Sequence, residues 1–165
     1  MVPRHLPGKP FPPYKYLPGR TPHPRKHPGG PSCVVEECAG PPLAEANWRI
    51  NEAYLYGIDL YNHGYWWEAH EAWERLWALA AKESLEQVFL QGLIQTAAAL
   101  LKARAGNARG AGKLWGKARP KLERVCAAAP SYMGLALADF VYSTTQYIVS
   151  GSGHSRIYVS VKQKN

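Results

Sequence analysis

Residues 64–77 read GYWWEAHEAWERLW. Four of the six tryptophans of the 165-residue chain fall in this stretch, beside His70 and the carboxylates of Glu68, Glu71 and Glu74. At 100° per residue, Trp66, Ala69, His70, Trp73, Trp77 and Ala80 share one broad stripe with Glu74 at its margin, the pattern of an amphipathic helix over about 65–81. That wheel turns His70 inward, one turn from Glu74. It sends Glu68, Glu71 and Arg75 to solvent, with Glu71 and Arg75 as an i,i+4 ion pair.

Helical patterning continues on both sides. Over 44–62, Trp48, Tyr54 or Leu55, Ile58 and Tyr61 or Asn62 recur at three- and four-residue spacing, and Asn62-His63-Gly64 supplies a turn. Ser84-Leu85-Glu86-Gln87 fits a capping box that opens a third helix through VFLQGLIQTAAALLKARA to Gly106. Asn107 can cap a fourth, which Pro120 is expected to kink or split. Gly64 precedes Ala69 as Gly106 precedes Ala111, a spacing that lets paired helices approach closely. The expected fold is all-α: a compact, tetratricopeptide-like bundle of four main helices built from two hairpins. After Pro130 the pattern is mixed. SYMGLALADFVY suits a short helix and SRIYVSVKQ alternates like a strand, so residues 141–165 form a tail of undetermined conformation beyond a helical domain at 44–140.

Residues 1–43 are different in kind. Proline, glycine and basic residues dominate, and PPYKYLPGRTPHPRKHPGGP excludes helix and central strand. Phe11, Tyr14, Tyr16 and Leu17 make this arm too aromatic for a solvated linker, and residues 11–18 are expected to dock on the helices. A chain of this length suits one domain burying roughly two thirds of its unfolded surface. No apolar run reaches the ~20 residues of a membrane span, and no apolar segment resembling a signal peptide follows the N-terminus, so a cytoplasmic location without membrane contact is expected. Cys33, Cys38 and Cys126 are too few for a disulfide framework, and CVVEEC is at most a weak pair of zinc ligands. The net charge of +8 admits nucleic acid as a partner, although the basic residues are dispersed along the sequence.

HEAWE is not a zincin motif, because a carboxylate stands where the second imidazole is required. Nor is it the di-iron signature, since position 67 is Trp rather than Glu. HEAWERLW has instead the form HxxxExxW, and with FLQGLIQTAAAL and AGNARGA downstream it resembles domain-of-unknown-function family 309, small bacterial and archaeal helical proteins. The leader PPYKYLPGRTPHPR resembles that of longer members. The resemblance implies no established activity; it implies that His70, Glu74 and Trp77 are the motif positions, with a divalent metal such as zinc or manganese suggested there.

Gln91 and Gln95, one turn apart on the apolar third helix, are candidates to meet His70 and Glu74, with Gly92 admitting the second helix closely and Trp73 packed beside them. Three readings stay open. The His/Glu/Gln cluster fixes helix register in a protein-interaction module; or His70 and Glu74 bind metal with water, His63 or another carboxylate completing the shell; or the basic surface binds RNA or DNA. A hydrolase would require that metal to activate water, and no substrate is indicated.

Overall fold

The computed structural model describes residues 2–26, 40–151 and 154–158, and within them the fold is all-α apart from one two-residue hairpin. The helices are α1 (Glu52–Asn62), α2 (Trp66–Leu79), α3 (Leu85–Arg104), α4 (Ala108–Ala128) and α5 (Leu137–Ser150). Between α4 and α5, β1 (Ser131–Tyr132) pairs antiparallel with β2 (Leu135–Ala136). Sequential neighbours pack on one another from α1 to α5, so the bundle is built from the hairpins α1/α2 and α3/α4 with α5 closing the far side.

Local chemistry accounts for the boundaries. Asn51 accepts from Tyr54 N at α1, Ser84 from Gln87 N at α3, and Asn107 from Gly110 N at α4. Gln87 completes the α3 cap by accepting from Glu83 N, one residue ahead of Ser84. Both hairpin turns place glycine in the left-handed region, Gly64 and Gly106 each at φ +79°. Ala69 and Ala111, five residues on, are buried in the seams.

Several expectations are corrected. The first helix begins at Glu52, not 44; residues 45–50 form turns that seat Trp48 and Leu43 in the core. Pro120 does not split α4, which is continuous: the proline is on the exposed face, where water can take the carbonyl its missing N–H would have bonded. Gly92 admits α4 rather than α2, since a Cβ there would meet Leu122 Cδ2 at 2.7 Å. Helix α5 runs across residue 141, where the sequence reading began its tail. Residues 154–158 are not a strand, and the rest of SRIYVSVKQ lies outside the described residues, as do Cys33 and Cys38.

Aromatic rings fill the interior. Tyr61 lies against Trp73 and Phe140, and Phe89 against Tyr54 and Tyr132. Trp73 is wholly buried and donates its indole N–H to Tyr54 O at 3.4 Å, a fit that requires glycine at 57 because a Cβ there would collide with the indole.

The proline-rich segment crosses α1 and α2. Asp59, 1% exposed, accepts the amides of His5 and Leu6 at 2.8 and 2.9 Å, with Arg4 at 3.6 Å. Glu68, fully buried, accepts the amide of Tyr16 at 2.9 Å. Tyr56 donates to Pro10 O, Phe11 stacks on Tyr65, and Tyr16 and Leu17 pack at the edge of the core. Prolines leave this segment few amide donors, and three of those remaining end on two buried carboxylates.

Candidate functional site

Helix α2 carries the motif, but its buried stripe is rotated from the one drawn on the wheel. Trp66, Ala69, Ala72, Trp73 and Leu76 face the core, and His70 and Trp77 are half-buried. Glu68 is not on the solvent side. The arm covers it, and burial pushes its carboxyl above the usual range against the opposing pull of the Tyr16 amide, Arg104 and Lys15. Glu71 is paired with Arg25 of the arm.

His70 and Glu74 stand one turn apart on an accessible face, with Nε2 to Oε2 at 3.8 Å and side chains 28% and 49% exposed. They are not a closed internal network. Neither Gln91 nor Gln95 hydrogen-bonds to either of them among the described residues: Gln91 lies in a shallow groove with Lys117 and Lys121 of α4, and Gln95 keeps a buried Oε1 without a partner. The amides point elsewhere because Gly92 turns that part of α3 towards α4. His63 is also remote in role. Its Nδ1 donates to Asp59 O at 2.8 Å, and its ring lies 4.9 Å from Phe11.

What the structure adds is Glu71. One ligand-type atom from each of His70, Glu71 and Glu74 lies within 4.8 Å of the others. Residues i, i+1 and i+4 can converge because the side chains at 70 and 74 lie along one helix edge, while that at 71, about 100° round, is long enough to reach back. One imidazole nitrogen and two carboxylates form a donor set suited to zinc or manganese, and the bonds of about 2.0–2.2 Å call for a modest closing of the trio. Three protein donors leave room for water. Trp77, the last motif position, packs against the core below this edge and has a buried indole N–H without an acceptor among the described residues. Tyr16, His23 and Trp67 form an edge-to-face aromatic cluster from the arm and α2.

The wheel assigned Glu71 to an ion pair with Arg75; the pairing with Arg25, 46 residues away, could not be found by periodicity. No helix is long and apolar enough to cross a membrane among the described residues.

No curated protein matches the chain. The model of the family described as Domain of unknown function (DUF309) matches residues 54–114, from α1 into the first third of α4, and this span contains the whole HxxxExxW motif. The resemblance carried by HEAWERLW therefore stands: over residues 54–114 the chain is similar to DUF309.

Proposed function

We propose that the domain binds a divalent cation of the zinc or manganese class through His70, Glu71 and Glu74, in a site whose access the N-terminal arm controls. The observation that carries this reading is the convergence of three donor atoms on one accessible helix edge. The Arg25 guanidinium is paired with Glu71, so a cation bound there competes with the arm for that carboxylate. No reaction is assigned. A metal held by three residues of one helix would retain open coordination positions, which is the minimum that metal-bound water chemistry requires.

Calorimetric titration of zinc and of manganese into the chelator-treated full chain tests it. One bound ion per chain is expected, lost in His70→Ala and strengthened in Arg25→Ala. Affinity should fall as pH is lowered, because protons compete with the cation for its ligand atoms. Titrations that show no heat, or a stoichiometry unchanged by His70→Ala, would refute it.

A second reading rests on α4. Arg109, Lys113, Lys117 and Lys121 recur at i+4 along it with Arg119 and Arg124 beside them, against the single carboxylate Glu123. The structure gathers basic residues that look dispersed in the sequence. Much of the arm's charge, by contrast, faces carboxylates: Arg4 with Asp59, Lys9 with Glu52, Arg25 with Glu71. Gly112 and Gly116 sit among the α4 cations, and a Cβ on either would meet nothing within 4 Å. Each costs about 1 kcal/mol of helix stability without a packing gain, a cost that close approach of a partner would explain. The phosphate backbone of single-stranded RNA or DNA is the complementary partner. Anisotropy titrations across salt concentration should show the slope reduced by about 1.5 in a Lys113→Gln/Lys117→Gln double variant. An unchanged slope would sink this reading.

A further inference from the structure

A second polar cavity lies away from the His70 edge, at the junction of the α1/α2 turn, the end of α3, helix α5 and the segment 154–158. Its volume is about 260 Å³, and among the described residues its lining includes Arg104, Arg156, His63 and His154 but no Asp or Glu. We propose that this cavity is a binding site for a small oxyanion, a phosphate monoester or inorganic phosphate, held chiefly between Arg104 and Arg156.

Both arginines are placed by contacts that leave donors available. Arg104 leaves the last turn of α3 with its guanidinium 3.7 Å from the Trp66 ring centroid and one nitrogen donating to Gly64 O at 2.7 Å. A guanidinium has five N–H groups in a rigid fork, so a single carbonyl satisfies only part of it. Glycine at 64 is needed here twice over: its φ is positive, and a Cβ would lie 2.7 Å from the other terminal nitrogen of Arg104.

Arg156 is held by its neighbours. Ser155 is hydrogen-bonded to Tyr61 Oη and Thr144 Oγ1, and the Asn62 amide brackets Ile157, donating to its carbonyl and accepting from its N–H at 2.7 Å each. The residue between these two anchors lines the cavity with little freedom left in its backbone. Preorganised arginine forks are the usual partners of phosphate because two parallel N–H donors match two of its oxygens.

Asp59 is taken by the His5 and Leu6 amides and Arg4, and one oxygen of Glu68 by the Tyr16 amide, with Arg104 and Lys15 within its field, while Asp139 lines the neighbouring groove with His154 and Arg156. Burial disfavours the charge on Arg104, opposed by Tyr147 and Glu68. Trp66 and Tyr147, edge to face at 6.3 Å, line the same cavity and offer an apolar wall to the organic part of a monoester.

The test is phosphate binding by the full chain at constant ionic strength, followed by 31P line broadening and by amide shifts at Gly64, Ser155 and Ile157. Inorganic phosphate and a nucleoside monophosphate are the probes, with chloride and acetate as controls. Saturable shifts at those three amides are expected with either phosphate, and a tighter nucleoside monophosphate would identify the organic moiety as part of the ligand. Arg156→Gln should weaken binding at least tenfold while leaving the melting temperature within a few degrees. Arg104→Lys keeps the charge but loses the fork, and should weaken it too. The proposal is overturned if chloride at matched ionic strength gives the same shifts, or if Arg156→Gln and His154→Gln both bind phosphate like the wild type.

Discussion

Replacing Asp59 with asparagine is the smallest change that tests whether the proline-rich segment is held by buried carboxylates. Asp59 accepts two arm amides, His5 N and Leu6 N, one on each oxygen, with Arg4 beside it. An amide side chain has one acceptor oxygen, so one arm N–H would then face an NH2 group and the other bond would lose its charge. Hydrogen bonds to a charged group contribute about 1.5–3 kcal/mol each, and demoting one while losing another should weaken docking of residues 4–6 by roughly 2–4 kcal/mol. At 1.4 kcal/mol per tenfold, this is about 30- to 700-fold in the local opening equilibrium. Amide exchange followed by NMR reads it directly: His5 and Leu6 should exchange faster by that factor, and Leu93 in the core should change far less. If both arm amides exchange at wild-type rates while the fold is intact, Asp59 is not what holds the arm.

Other outcomes follow from the same structure. Burial holds the Glu68 carboxyl above its ordinary value of 4.5, so wild-type stability should decline as pH rises from about 4.5 through that higher folded value, whereas Glu68→Gln should remove this slope and be more stable at pH 7; denaturant melts across pH decide it. Gly57→Ala gains about 1 kcal/mol of helix propensity but drives a methyl into the Trp73 indole, an overpacking cost of about 1–3 kcal/mol or more, and a melting temperature equal to or above wild type would contradict the packing described. Saturating zinc or manganese at 100 times Kd should raise the wild-type melting temperature by roughly 5–10 °C; neither Glu74→Gln nor Glu74→Ala should respond, and a full response in Glu74→Gln would remove the carboxylate from the ligand set.

The helices were legible because their signals are local. Ser84, Asn107, Gly64 and Gly106 each act within a few residues of themselves, and the Ala69 and Ala111 spacing needs only the helix that bears it. The phase of α2 was not legible. A wheel sends every carboxylate outward, and nothing within α2 shows that a segment 52 residues earlier buries Glu68 or that Arg25 reaches Glu71. Asp59 escaped notice for the same reason, set in an apolar helix where its partners are arm amides. The i,i+4 spacing sets His70 and Glu74 on one edge whatever the phase, whereas the neighbours of Gln91 and Gln95 depend on Gly92 packing against α4 rather than α2. The continuity of α4 through Pro120 depends on exposure, which only the packed structure supplies.

The cation site is tested most directly by crystals of the full chain grown with zinc and measured above and below the zinc absorption edge. The account predicts one anomalous peak within about 2.0–2.2 Å of His70 Nε2 and of one carboxylate oxygen from each of Glu71 and Glu74, with Arg25 displaced from Glu71. An ordered His70 edge with no anomalous density, Arg25 still on Glu71 and zinc present in the crystal would contradict it.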